Sequence, residues 1–507
     1  MADIATAAHA STEHPSVLLL LADAWRATAF SAAPRSDILA ETPHLDALRA
    51  SAVDFAAAYA SYPLCTPSRA TVLTGRHVDG HGVAWNGMAL PPELPTVGRA
   101  LRLGRYALSW VGKYHAGGED CPRRPPCALF PQTSWCVEEA VHRPVKPAQR
   151  AGFTQAWAED CCEAPGANAY FSPCMVLGNG TVLRGAQRQW EPAFFTDYAL
   201  GELERLRTAE AARPWLLAVS WRPPHAPFTA PAHHVEAVGS RLRSLGGVST
   251  AGIVGGESAL VGYFASVRAL DEEIGRMVAA ADAPPVAARG APLVVFLSDH
   301  GEMLGARGAM GKGVFWDEAA RVPLLVRLHG AAAAETPRVW RGAVSLADLA
   351  PTLLGLAGVG AAALCGAAAT GCNETCADGR DLSAALRSRE CVGGTCGRAH
   401  AARLVRIGRA ENTNAAAHQW LAVASAELKA VRRGAAANAS VVVLNTTAGD
   451  AEMDVEDAAA HEMRHALRVE EGRAAAQAVA AHACARLERS KSAGRQGGHA
   501  TARTEEI

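Results

Sequence analysis

Four apolar runs, each closing on polar or charged residues, most constrain how this chain can fold: SVLLLLAD (16–23), YALSWVGK (106–113), WLLAVSW (215–221) and APLVVFLSDHG (291–301). A run that is apolar throughout, rather than alternating, is the pattern of a strand covered on both faces, as strands in parallel sheets are. Between the runs lie TPSRATVLTG, TVGRALRLG, YALGELERLRTAEAA and YFASVRALDEEIGRMVAAA, the last with apolar positions at helical spacing. This alternation predicts an α/β fold: a large, mostly parallel sheet sandwiched by helices. Ligands bind such sheets at the carboxyl ends of their strands, and Asp23, Lys113, His115, His225, Asp299 and His300 converge there.

Past SLADLAPTLLGLAGVG (345–360) the texture changes. Residues 361–400 are rich in Ala, Gly and Cys and read as loop with one helix near DLSAALRS. AELKAVRR and NASVVVLNTT then read as strands of a smaller antiparallel sheet, followed by a helix over DAAAHEMRHALRVEEGRAAAQAVAAHACARLE. The tail RSKSAGRQGGHATARTEEI is too poor in apolar residues to order itself. The length of 507 residues suits this division into a larger and a smaller domain. The expected organisation is a main domain at 14–390, with a Cys-rich insertion at 119–175 forming the pocket rim, a smaller α+β unit at 391–485, and a disordered tail at 486–507.

The 49 basic and 50 acidic side chains give a net charge of −1, so no global field draws the chain to nucleic acid or to an anionic membrane. No run reaches the roughly 18 apolar residues of a membrane-spanning helix. Of thirteen cysteines, Cys65 stands apart. The other twelve fall into two groups: Cys121, Cys127, Cys136, Cys161, Cys162 and Cys174, then Cys365, Cys372, Cys376, Cys391, Cys396 and Cys484. Neither group shows the repeated C-x-x-C spacing of a zinc site, so disulfides made in an oxidising compartment are expected. Sequons at Asn179, Asn373, Asn438 and Asn445 agree with that. The expectation is a glycosylated protein of the secretory pathway, extracellular or endolysosomal, or periplasmic if bacterial, although MADIATAAHASTEHP shows no apolar core of a signal peptide.

The residue types at the strand ends point to a chemistry. Asp23 and Asp299 are hard oxygen donors and His300 adjoins the second, a set suited to calcium, magnesium or manganese. Arg69, Lys113, His115 and Lys312 would surround that cation with positive charge, making a pocket for a dianionic ester. Any one of these alone is an ordinary surface or core residue; the reading rests on all of them meeting. Cys65, in SYPLCTPSRATVLTGR, lies where an irregular segment becomes a helix, between two prolines and two arginines rather than in an apolar run, and with no nearby partner cysteine. It reads as a residue placed for chemistry.

CTPSRATVLTGR resembles the sulfatase signature, Cys-x-Pro-Ser-Arg followed by Thr-Gly-Arg, through Cys65, Pro67, Ser68, Arg69, Thr74, Gly75 and Arg76. VGKYHAGG, RPPHAPF and SDHGEMLGARGAMGKGVFWDEAARVPLLV resemble further family segments in the family's order, along roughly residues 15 to 450. The resemblance implies an alkaline phosphatase-like fold and a formylglycine made from Cys65 by a formylglycine-generating enzyme. It implies a metal, calcium foremost, held by Asp23, Cys65, Asp299 and His300. Arg69 would hold the aldehyde hydrate, His115 take the proton that collapses the intermediate, Lys113 and Lys312 bind sulfate, and His225 serve as acid for the leaving alcohol. The implied partner is a sulfated small molecule or oligosaccharide.

One position departs from the family. Relatives carry Asp-Asp or Asp-Gln after the first strand, whereas ADAWR places Ala24 second, and alanine offers a cation no oxygen. The following Trp25-Arg26, with Asp299-His300 later, resembles the Asp-Gln/Asp-His branch that includes sugar sulfatases. Three readings compete: a sulfuric ester hydrolase, a phosphonate or phosphodiester hydrolase on the same scaffold, and a catalytically weak binding protein. A carbohydrate sulfate is the expected substrate, ahead of an aryl or choline ester.

Overall fold

The computed structural model describes residues 14–31, 37–117, 145–160, 169–210, 213–246, 249–284, 290–329, 338–365 and 376–387, together with strands at 395–396, 405–408, 420–424, 428–433, 441–445 and 451–452. The four apolar runs are strands: β1 (Val17–Asp23), β2 (Ala107–Gly112), β4 (Trp215–Pro224) and β5 (Leu293–Ser298), with β3 (Ala156–Asp160) between the second and third in sequence. They form the middle of an eleven-stranded sheet in the order β5, β1, β4, β2, β3, all parallel. Beyond β3 the sheet continues antiparallel through Cys174–Leu177 and Val182–Arg184. Part of the stretch expected to form the pocket rim is therefore sheet. On the other side β6 (Leu324–Arg327) runs antiparallel to β5, and Val53–Phe55, Arg338–Trp340 and Thr395–Cys396 follow. That last strand adds to the edge of the large sheet although it follows residue 390 in the chain.

Both faces of β1 are covered, which is why its sequence does not alternate. Val17, Leu19 and Leu21 pack into one layer with Val72 and Leu73 of α1 (Cys65–Thr74), Leu101 of α2 (Val97–Leu103) and Leu353 of α6 (Leu349–Leu356). Leu18, Leu20 and Ala22 face the other layer, where α3 (Glu191–Thr208), α4 (Ala232–Ser244) and α5 (Gly256–Asp282) supply Phe195, Leu203, Val238, Leu242, Ile274 and Met277. A leucine lost from either layer, such as Leu20→Ala, would cost about 2–5 kcal/mol. Helix α3 starts earlier than its periodicity suggests, at Glu191, because Pro192 suits the first helical turn.

A smaller three-stranded sheet joins Arg321–Val322, Ala58–Tyr59 and Val344–Ser345. The separate C-terminal sheet is five-stranded, antiparallel and in sequence order from Val405–Gly408 to Ala451–Glu452, and includes both strands expected there. The expected C-terminal helix and tail lie outside the described residues. Cys365 and Cys376 are bridged, Cys174 is disulfide-bonded, and Cys65 is the free cysteine among the described residues.

The register of β1 against β4 shifts between Leu21 and Asp23. Such irregularities re-aim a side chain at a strand end. Here the side chain is the carboxylate of Asp23.

Candidate active site

Asp23 closes β1, Lys113 follows β2, His225 follows β4, and Asp299 and His300 follow β5, so the parallel strands deliver all five to one end of the sheet. Cys65 meets them from another direction as the first residue of α1, whose N-terminal turn Asn86 helps to close by accepting from Thr66 N at 3.0 Å. The chain before α1 is extended at Leu64, and Gly75 ends the helix in the left-handed conformation, so the signature from Cys65 to Thr74 is one short, wholly buried helix with Gly75 and Arg76 just beyond it.

Arg69 ties the centre together. Its Nε donates to Asp299 Oδ2 at 2.8 Å, Nη2 to Asp23 Oδ2 at 3.3 Å, and Nη1 to both Lys113 O and Ser220 Oγ at 2.9 Å. Arg69 is only 1% exposed, so a guanidinium without these partners would be strongly destabilising. Lys113 Nζ also donates to Asp23 Oδ2, and Ser68 Oγ donates to Asp299 O at 2.5 Å. Within this web the two carboxylates keep their other oxygens turned to one another's neighbours. His300 N donates to Asp299 Oδ1 at 2.9 Å, and Asp23 Oδ1 lies 3.4 Å from His300 Nε2.

The tautomer of His300 follows from its surroundings. Gly301 O can only accept, so at 2.8 Å it takes a proton from His300 Nδ1, which leaves Nε2 facing the cluster, 3.2 Å from Cys65 Sγ. Asp23, Cys65, Asp299 and His300, all buried, place one donor atom each within 4.8 Å of one another. Cys65 Sγ donates to Asp23 Oδ1 across 3.8 Å, within reach of a thiol, whereas the separations of His300 Nε2 from Asp23 Oδ1 and Asp299 Oδ1, 3.4 and 3.7 Å, exceed an ordinary hydrogen bond between nitrogen and oxygen. They match the edges of a coordination shell, since ligands about 2.3–2.6 Å from a hard cation and at right angles stand about 3.2–3.7 Å apart. The donor set fits a divalent cation.

The charges act on one another in a definite sense. Burial and the Cys65 sulfur push the Asp23 carboxyl up, but Lys113, His225 and His300 hold it well below the usual carboxylate range. Burial likewise disfavours a Cys65 thiolate, yet Lys113, Lys312 and His300, with a hydrogen bond from His115, bring the thiol well below its ordinary value. Burial works against the Lys113 ammonium, and Asp23 and Cys65 more than restore it. His300 is lowered by burial and raised further by Asp299 and Cys65, for a net upward shift. This is a pocket organised around an anionic group at Cys65.

His115, with φ of 56°, thus reaches Cys65, and Lys312 acts on both Cys65 and His300. The loop that carries Lys312 is closed by Met303 N donating to Gly311 O at 2.7 Å and tied to the chain before Cys65 by Gly313 N donating to Pro63 O at 2.9 Å. The buried Glu302 carboxylate accepts from Leu304 N at 3.1 Å and from Gly311 N, holding the loop from inside. His225 Nδ1 donates to Ala226 O at 2.7 Å, which fixes that nitrogen as the donor. All nine residues singled out from the sequence therefore lie in this one region.

Other residues support the site with little signal in the sequence. Ser220 and Ser298 are lone hydroxyls in the apolar runs of β4 and β5, and that is their only mark. Ser298 Oγ receives Trp25 N at 2.9 Å and donates to His300 O at 2.7 Å, pinning the exits of β1 and β5 together. Tyr263, on α5, donates to Ala24 O at 2.9 Å and accepts from Arg26 N at 3.0 Å. Ala24 itself is buried with φ of 64°, and its N–H lies 3.4 Å from Asp299 Oδ1. Its backbone, not its side chain, is what serves the site.

Comparison with known proteins places this arrangement. The sulfatase family model matches residues 15–359. An ulvan-active sulfatase of Formosa agariphila is 29% identical over 349 residues, covering 68% of this chain and 62% of that protein. A choline-sulfatase of Rhizobium meliloti is 27% identical, covering 69% of each. The chain thus spans less than two thirds of the first of these relatives. Among solved structures, the YidJ protein of Bacteroides fragilis superposes with a TM-score of 0.70 at 20% identity, over 92% of this chain and 98% of that one. At that identity the likeness is one of fold.

Proposed function

We propose, from the premise that the chain belongs to the sulfatase family, that it hydrolyses a sulfate ester using a formylglycine made from Cys65 and a divalent cation, calcium foremost, held by Asp23, Cys65, Asp299 and His300. The observation that carries the reading is the position of Cys65. It is the first residue of a buried helix, in CTPSRATVLTGR, beside two carboxylates, an imidazole and a lysine at the ends of the parallel strands.

The thiol stands where the formylglycine would. That group supplies, as its hydrate, one hydroxyl to attack sulfur and a second through which sulfate is expelled. The cation supplies positive charge that polarises the oxygens around it. Lys113 and Lys312 bind the sulfate oxygens, opposing the negative charge that grows there in the transition state. Lys113 does so while paired with Asp23, which keeps it protonated. His225 protonates the leaving oxygen through Nε2, the nitrogen not engaged with Ala226 O. His115, hydrogen-bonded to residue 65, takes the proton released when sulfate departs. Arg69 holds Asp23 and Asp299 at fixed separation.

The substrate class we propose is a sulfated carbohydrate, and the compartment is the secretory pathway, or the periplasm if the source is bacterial. No helix among the described residues is long and apolar enough to cross a membrane. The test is turnover by protein made with a formylglycine-generating enzyme, on sulfated oligosaccharides, an aryl sulfate and an aryl phosphonate. Release of sulfate from an oligosaccharide, faster than from the aryl ester, supports the reading. Faster phosphonate hydrolysis would assign the alternative activity on this scaffold, and no turnover of any of the three would assign a binding role.

A further inference from the structure

Outside the active centre, three more donors meet between two helices. His233 and His234 lie in the first turn of α4, and Glu272 lies on α5; one donor atom of each falls within 4.8 Å of the others. The two imidazole rings stand with centroids 4.0 Å apart, tilted by 41°. His234 is 3% exposed, and its Nδ1 is buried without a hydrogen-bond partner. Its Nε2 stands 3.5 Å from Glu272 Oε2.

That separation distinguishes two explanations. A charge-assisted hydrogen bond would close to about 2.7–2.9 Å. Two ligands of one tetrahedral ion, with bonds of about 2.0–2.1 Å, stand about 3.3–3.4 Å apart. An ion pair would also need His234 protonated. Burial opposes that, and although Glu272 favours it, His233 and Arg268 act with burial and bring the imidazole below its ordinary pKa. The neutral ring is the form that binds metal.

We propose that His233, His234 and Glu272 form a second metal site that takes a transition ion such as zinc(II) and fastens α4 to α5. The class of ion follows from the surroundings. Arg268 and the positive end of α4 disfavour a hard cation held by charge alone. Two imidazoles offer directed lone pairs, which suit zinc, nickel or copper rather than calcium. Arg268 is itself held away by Glu41 at 2.5 Å. His233 is exposed and Glu272 half exposed, so the ion would enter from solvent and keep a coordination position for water.

The test is calorimetric titration of zinc into the full chain, free of any polyhistidine tag and saturated with calcium, alongside His233→Ala and Glu272→Gln. Both substitutions change exposed side chains, so the variants keep the fold. The expected result is a zinc site in the parent that weakens at least about tenfold in each variant. Cobalt(II) should give the parent intense visible bands of tetrahedral coordination that His233→Ala lacks. Equal zinc affinity in parent and variants, or equal cobalt spectra, would overturn the proposal.

Discussion

Two clusters of histidine and carboxylate sit about one sheet, and they are built in opposite ways. In the active centre all four donors are buried and come from separate strand ends and a helix start, whereas at α4 and α5 only His234 is buried and its neighbours face water. Burial lowers the pKa of both imidazoles, and their neighbours decide opposite outcomes. His300 lies beside two carboxylates and the Cys65 sulfur and is shifted up; His234 has one half-exposed carboxylate, outweighed by burial, His233 and Arg268, and is shifted down. The difference shows that proximity of ligand types does not by itself make a reactive site. The active centre is distinguished by Arg69 and Lys113, which occupy the carboxylate oxygens turned away from Cys65 and leave the remaining donors aimed inward.

The sharpest way to break this contrast is to remove the proposed nucleophile on one side and an imidazole on the other. Cys65→Ala should lower turnover at least about 10³-fold with the folding midpoint little changed, because alanine is tolerated at a helix start. His233→Ala should leave turnover as it is. Assays of the two variants side by side decide it, and a comparable loss in both would erase the distinction.

Next in size is the effect of Arg69. Arg69→Ala strands the oxygens of Asp23 and Asp299 in a buried site and should cost about 3–5 kcal/mol of stability in urea unfolding. Added calcium should restore part of that loss. Glu272→Gln, on the exposed cluster, should stay within about 0.5 kcal/mol of the parent.

A third buried histidine gives the pH dependence. Val83 N donates to His81 Nδ1 at 3.0 Å, so Nε2 carries the proton and faces Thr71 Oγ1 at 3.1 Å, and the ring is neutral in the fold. Burial first, then His77 and Arg76, lowers its pKa to about 3, against the partial opposition of Asp79. Between that value and the ordinary 6.5 the unfolded chain binds the extra proton, so this contribution is complete above 6.5 and is lost as pH falls toward 3. At pH 5 the loss from His81 should be about 2 kcal/mol. Unfolding midpoints from pH 7 to 5 measure it, and a His81→Gln variant should lose less over the same range.

The smallest expected effect belongs to Ala24. An aspartate there tolerates the left-handed backbone and adds a carboxylate next to Asp23. Ala24→Asp should lower the calcium needed for half-maximal activity by about tenfold while turnover is unchanged or modestly reduced, since a more neutralised cation polarises less. An unchanged calcium requirement would show that this side chain does not face the cation.

What could be read from the sequence follows from what is local. Each strand end carries its own residue, so a parallel sheet is enough to bring Asp23, Lys113, His225, Asp299 and His300 to one edge. Cys65 announced itself by lying among prolines and arginines. The supports could not be read in that way. Ser220 and Tyr263 act across the fold, on Arg69 and on the backbone of Ala24, and a hydroxyl in an apolar strand does not name its partner. The pair His233-His234 carried no signal either, because Glu272 meets it only when α4 packs on α5.

The most direct measurement is the mass of the peptide spanning Cys65, taken from protein produced in a host whose formylglycine-generating enzyme converts other sulfatases. The account predicts an aldehyde in place of the thiol in the active fraction. A peptide found wholly as cysteine, in protein that nevertheless cleaves sulfate esters, would contradict it.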